Sequence, residues 1–529
     1  MNPKNPRKWR FTWEAQSHAP NLKLFVFDAH SRPSKDCHNL SVNLKLSQSH
    51  VLVSWTEEDG GGNVSLKIPI PKVLIDPEVP VSFRALHDHI EVKVVLLLPV
   101  DHPIVSRFDS VLNLSDDGGV MDGINPLVMN SDLKSLSSTQ GANFYCRRCS
   151  AKLTKKAIRN FEEMPSVNWR EVADNWFGGC CCSYGGAGEV LVNSFADGYG
   201  CRKGVGLLSS PAVILCMDDI LGCEPRHQPL DRGGGLSREL DDNGTDHASV
   251  DENQNELVGD SPTLSGDDQL SGGSTSRNMS ESATCCDSKC HGHEGLEPSK
   301  VDVEATRATK FTEDQKSFLN GFLGDAFMVR SYSRSVDIEW KEFFCPQCSS
   351  LLGAYPSTTS GHIPIDNGIR LFKCYISSCL PVCAPSDIFR RYTLEKMFTN
   401  MLVENAKDEL SYRTVVRDLA TRSPMLQVVL LNLNSWCCTG ICWDDRSPVE
   451  PVLKLNLKPI IKVLFSSSSK TTESSVRLLE DWMVKHAAEE AFVIKPLIHE
   501  LMETMESSKH NLPYSPIQVE NMSLATLLR

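Results

Sequence analysis

The chain has 529 residues, 40% of them hydrophobic, and a formal net charge of −13. That length and composition suit two or three globular domains and exclude a chain disordered throughout. The acidic balance, with a pI near 5.6, argues against a generic binder of nucleic acid or anionic membrane, which most of this surface would repel, and leaves room only for local basic patches.

The opening MNPKNPRKWRFTWEAQ places charge and aromatics where a secretory signal needs an apolar core. The longest apolar run, VKVVLLLPV at 92–100, is too short to span a bilayer. A soluble cytoplasmic protein is therefore expected, with the nucleus as a second location, no membrane and no direct nucleic-acid partner. The twenty cysteines read as reduced thiols and metal ligands rather than as a disulfide framework.

From Lys8 to His102 the pattern alternates in short runs (WRFTW, LKLFVFDA, VNLKL, HVLVSW, NVSLKIPI, VSFRAL, IEVKVVLLL) separated by turn-rich stretches such as EEDGGGN. Alternation at period two predicts strands, so residues 1–142 read as a β-rich N-terminal domain with a polar tail. Residues 143–223 hold FYCRRCSAKL, a Trp-containing stretch, a cysteine cluster and the apolar VGLLSSPAVILCM. Residues 224–309 are rich in Gly, Ser, Asp and Glu with almost no aromatics, a composition that buries too little apolar surface to offset ordering entropy, and are expected to form a disordered acidic insertion.

Order is expected to resume over 310–386 with FFCPQCSSLLG and the strand IRLFKCYIS. The last segment, 387–529, reads as α+β. It has a helix over 388–410 with Phe389, Leu394, Met397, Phe398 and Leu402 on one face and a buried strand at 425–434. Strands at LKLNLKPIIKVLF and EEAFVI, a helix begun by Pro496 and a closing strand IQVENMSLATLL follow. The fold class expected for the whole chain is α+β.

The two Cys-x-x-Cys pairs, Cys146 with Cys149 and Cys345 with Cys348, are near repeats: FYC-RR-CSAKL and FFC-PQ-CSSLL share two preceding aromatics, a following serine and a leucine. Two intervening residues let a tight turn aim both thiolates at one ion, and two such turns supply the four ligands of a tetrahedral structural zinc. Closing the loop of about 200 residues between them costs roughly 4–5 kcal/mol, against an order of 10–16 kcal/mol from structural zinc. Two independent buried turns, or a redox pair, are the alternatives.

The second informative stretch is PSVNWREVADNWFGGCCC at 165–182. Asn168 and Glu171 have capping-box spacing, and Trp169, Val172, Ala173 and Trp176 recur at helical intervals. Gly178 and Gly179 end the helix, which puts Cys180, Cys181 and Cys182 beyond its carboxyl end, where partial negative charge disfavours an isolated thiolate. The cluster suits metal coordination, including donation to a partner's metal, better than unassisted nucleophilic attack. Packing of the tryptophans and cysteines in a core is the plain alternative.

The order of these features (β-rich start, FYCRRC, PSVNW with a second Trp and a Cys cluster, FFCPQC, α+β end) resembles the HECT-like ubiquitin-ligase family whose members bind ubiquitin-conjugating enzymes (E2), with the layout of a plant member. The resemblance implies an E3 ubiquitin-protein ligase with an E2 and ubiquitin as partners, passing ubiquitin to substrate lysines. For the Trp motif, Pro165, Ser166, Trp169, Trp176 and Cys180 to Cys182, it implies a second reading. In it, a non-catalytic zinc protein caps or chaperones a metallo-β-lactamase-type endonuclease of RNA 3′-end processing by donating a cysteine to its metal. The Thr-Cys-Phe-like element of HECT catalysis is absent, and Cys437, Cys438 and Cys442 are the nearest candidates by position. The further ligands of a two-zinc RING are not supplied either.

CCDSKCHGH at 285–293 could capture a soft metal but falls in the expected disordered insertion, which disfavours a stable site. Cys374, Cys379 and Cys383, whose loose spacing could extend a zinc site, are not assigned to one because FKCYISSCL reads equally well as strand and turn. No GxGxxG, GxxxxGKS or GxSxG stands in the chain, so nucleotide and serine-hydrolase chemistry are unsupported.

Overall fold

The computed structural model describes residues 9–57, 62–105, 129–164, 201–222, 327–328, 338–358, 361, 363–444, 455–467, 473–513 and 522–529. The chain divides into two units, Met1–Pro225 with Thr309–Arg529, and Arg226–Ala308; every described residue belongs to the first. The Trp motif at 165–182 and the whole acidic stretch at 224–309, with its tract at 285–293, lie outside the described residues. The structure is β-rich with few helices, consistent with an α+β class. No described helix is long and apolar enough to cross a membrane.

The alternating runs of the first hundred residues form β1 (Arg10–Gln16), β2 (Asn21–Phe27), β3 (His38–Lys45), β4 (His50–Thr56), β5 (Asn63–Pro69), β6 (Ser82–Ala85) and β7 (Ile90–Val95), with a single turn α1 (Pro33–Asp36) after β2. Period two puts Phe11, Trp13 and Ala15 on one side of β1, where they pack with Leu22, Val53, Trp55 and Val92. β3, β4 and β5 join β18 (Trp443–Asp444) in a four-stranded sheet.

A nine-stranded sheet holds the ends of the chain together. It contains β1, β2, β6 and β7 with β16 (Arg413–Asp418), β17 (Pro424–Ile441), β19 (Lys458–Ser467), β20 (Glu489–Val493) and β21 (Ser523–Leu528). β17 pairs antiparallel with β16 through its first half, with β1 from Arg10↔Ile441 to Gln16↔Ser435, and with β19. The segments expected as an N-terminal β-domain and a C-terminal α+β domain therefore share one sheet. The strand expected at 425–434 is longer than its apolar run. It alternates buried and half-buried residues because only one of its faces meets the main core.

The second sheet runs β12 (Ile338–Phe344), β13 (Leu351–Thr358), β14 (Gly368–Phe372), β11 (Ala212–Cys216), β10 (Val205–Leu208), β9 (Asn160–Glu163). β11 precedes the acidic stretch and β14 follows it, yet they pair antiparallel from Ala212↔Phe372 to Cys216↔Gly368. A two-stranded piece joins β8 (Tyr145–Cys146) to β15 (Ile376–Ser377). Gly353 lets β13 approach β14, since a Cβ there would lie 1.8 Å from the Arg370 carbonyl oxygen.

Besides α1, the helices among the described residues are α2 (Met129–Ser137), α3 (Leu394–Asp408), α4 (Glu473–His486) and α5 (Lys495–Lys509). The helix expected from 388 starts at Leu394 because the Thr393 hydroxyl caps it, accepting from the Lys396 amide at 3.2 Å. Phe389 sits in the turn before it and is still fully buried. Pro496 opens α5 as expected. Leu497, Ile498, Leu501 and Met505 of α5 pack with Leu402 of α3 and Val463 of β19 in the main core, which also takes in both knuckles.

Candidate metal centre

Both knuckles are built by the same turn. In the first, the Cys146 amide donates to the Ala151 carbonyl at 2.9 Å and the Ser150 amide to the Cys146 carbonyl at 2.9 Å. In the second, the Cys345 amide donates to the Ser350 carbonyl at 2.8 Å and the Ser349 amide to the Cys345 carbonyl at 2.9 Å. Ser150 (φ 61°) and Ser349 (φ 55°) adopt the left-handed conformation that reverses each chain. β8 and its partner β15 carry the first knuckle, and the β12–β13 hairpin carries the second at its tip.

The structure brings all four predicted cysteines together. Cys146 Sγ lies 3.7 Å from Cys348 Sγ and Cys149 Sγ lies 3.6 Å from Cys345 Sγ, and all four sulfurs fall within 4.8 Å of one another. The first cysteine of each knuckle thus meets the second of the other. A tetrahedral ion with metal–sulfur bonds of ~2.3 Å separates its sulfurs by roughly 3.8 Å, so this arrangement fits one four-thiolate metal ion.

Ser350 organises the charge of the cluster. Its hydroxyl lies 2.9 Å from Cys348 Sγ and 3.6 Å from Cys146 Sγ. Hydrogen bonds from the Ser350 side chain and amide bring the Cys348 thiol down to about 6, whereas burial pushes Cys149 up to about 12 and raises Cys345 as well. Four thiolates this close repel strongly, and a soft divalent cation would compensate that repulsion.

Arg147, inside the first knuckle, ties the cluster to the rest of the fold. Its guanidinium donates to the carbonyls of Ile376 (2.9 Å), Cys374 (3.0 Å), Tyr392 (2.6 Å) and Phe389, and stands 3.9 Å from buried Asp387. Neither Arg147 nor Ser350 stands out in the sequence. The Arg147 acceptors are backbone carbonyls, which every residue has. The only local hint at Ser350 is its place two residues past the last ligand.

The remaining predicted thiols do not join the cluster. Cys374 is buried, which raises its thiol, Cys379 Sγ faces Ser386 Oγ at 3.3 Å, and Cys383 is exposed. Cys437 and Cys438, expected beyond the buried strand, lie inside β17 opposite Glu14 and Trp13. Burial pushes them up to about 11 and about 12, and it also raises Cys442, which sits in the N-terminal core. Pro165, Ser166, Trp169, Trp176, Cys180, Cys181 and Cys182 are outside the described residues.

Beside the centre, a buried ion pair closes the core. Lys373 Nζ lies 3.0 Å from Asp132 of α2, which also accepts the Tyr392 hydroxyl, and the ammonium sits 4.9 Å from the Tyr392 ring centroid. Burial lowers the Lys373 ammonium and raises the Tyr392 phenol.

No curated protein and no solved structure matches this chain. A family described as HECT-like Ubiquitin-conjugating enzyme (E2)-binding matches residues 18–523. That span takes in both knuckles, Arg147 and every described strand except β1 and most of β21, so the chain belongs to the HECT-like E2-binding family and has a role in the ubiquitin pathway.

Proposed function

We propose that this protein is an E3 ubiquitin-protein ligase that binds a ubiquitin-conjugating enzyme and passes its ubiquitin to substrate lysines. The observation that carries the reading is the family match over residues 18–523. We place transfer directly from the E2-bound thioester, with this chain holding the E2. The high thiol pKa values that burial gives Cys437 and Cys438 support this route, because a protonated thiol is a poor acceptor. The four-cysteine centre holds zinc in a closed structural role: four thiolates leave no open position for substrate.

Single-turnover discharge tests the reading. Charged E2 from a panel is mixed with free lysine, with and without the full chain. Faster discharge with no reducible ubiquitin adduct on this protein is expected. Equal discharge with and without it would remove the ligase assignment, and a thiol-sensitive adduct would overturn the direct route.

A further inference from the structure

The first knuckle and the segment that leaves it carry positive charge in an acidic protein. Arg148, Lys152, Lys155 and Lys156 are all exposed, and none forms an ion pair among the described residues. The backbone fixes where they sit: Lys152 pairs with Tyr145, Thr154 pairs with Ile220, and the Lys155 amide donates to the Asp219 carbonyl at 2.8 Å. The Asp219 carboxylate is buried and accepts the Gly204 amide at 2.7 Å, so it does not neutralise them. Asp218, next to Asp219 in the chain, is exposed.

Apolar surface adjoins these cations. The Leu221 amide donates to the Leu153 carbonyl at 2.8 Å, and its side chain is 38% exposed beside the basic strand. Next to it, a Cβ on Gly222 would stand 3.3 Å from the Cβ of exposed Pro346, within the second knuckle. The cations of the first knuckle thus adjoin exposed Leu221 and, through Gly222, exposed Pro346 of the second, and the two knuckles are joined at the four-cysteine centre.

We infer that this paired-knuckle face is the docking surface for an acidic, partly apolar face of the ubiquitin-conjugating enzyme. The inference rests on the E2-dependent function proposed above. Charge complementarity selects a carboxylate-bearing partner, and Leu221 with Pro346 supply the apolar contact. A phosphate backbone fits less well. The chain as a whole is at −13, which repels a polyanion.

The test measures binding of the full chain to a panel of E2 enzymes at low and high salt, with metal content and melting temperature followed in parallel. Wild type is compared with Lys152→Glu/Lys155→Glu/Lys156→Glu, with the milder triple Gln variant, and with Lys485→Glu on exposed α4 as a control. The Gln triple keeps the test decisive if the Glu triple fails to fold. The expected result is a loss of affinity of about tenfold or more for the Glu triple, a flattened salt dependence for both triples, and unchanged metal content.

Equal E2 affinity of wild type and both triples would overturn this surface while leaving the proposed function standing. The same holds if E2 affinity is unchanged but binding to single-stranded RNA is lost. Wild type that binds no E2 in the panel would overturn both.

Discussion

Replacing Arg147 by alanine isolates what fastens the four-cysteine cluster to the fold. The guanidinium is 15% exposed and donates to four carbonyls that come from the β14–β15 turn and from the turn before α3. Hydrogen bonds to a charged donor contribute about 1.5–3 kcal/mol each. Bonds from one group do not add, and water entering the vacated space recovers part. The net cost of Arg147→Ala is therefore set at about 3–5 kcal/mol, including the lost partner of buried Asp387. Arg147→Lys should recover less than half, because an ammonium cannot reproduce the planar fork that reaches carbonyls on two segments. Urea denaturation at neutral pH, with metal content measured on the same samples, reads the effect. A cost below about 1 kcal/mol, or full rescue by lysine, would show that the four carbonyls are satisfied without the guanidinium.

Three further outcomes follow from particular residues. Cys345→Ser should reduce bound zinc from about one equivalent per chain to none and lower the melting temperature; elemental analysis of wild type and variant with equal metal content would refute the closed four-thiolate site. Burial alone would raise the Glu91 carboxyl, but Arg84 at 2.8 Å and Lys93 at 3.3 Å outweigh it and hold it below the ordinary value. The unfolded chain then binds the proton more readily, so this contribution is present above about pH 4.3 and is lost as pH falls through the folded value. Glu91→Gln should cost about 1 kcal/mol at pH 7, since Arg84 is largely exposed, and should flatten the acid side of the stability curve; parallel curves for the two proteins would contradict it. Gly353→Ala should destabilise by about 3 kcal/mol or more because the new methyl meets the Arg370 carbonyl of the neighbouring strand, and a thermal melt within about 2 °C of wild type would disprove that clash.

Much of the local structure was legible in the residues. Period-two runs mark β1 to β7, Pro496 marks the start of α5, and each Cys-x-x-Cys marks its own turn, because those signals lie within a few residues of the structure they specify; the repeat of the motif is what points to one four-cysteine cluster. The apolar stripe predicts a helix from 388, about one turn and a half before it begins at Leu394. Phe389 fits its apolar stripe, but the Thr393 cap and the turns at 387–392 decide where the helix begins.

Strand formation, the shared spacing of two cysteine turns suited to one ion, and the acidic balance are all local properties of the residues. Only the tertiary structure decided that β1 lies against β17 and β11 against β14. It also placed Cys437 and Cys438 within a strand, and made a knuckle arginine the tie between the centre and two distant turns. The reason is physical: periodicity and turn chemistry act over a few residues. Strand partnership and carbonyl acceptors are settled by the closure of long loops around a shared core, and backbone groups identical at every position leave no trace of that choice in the residues.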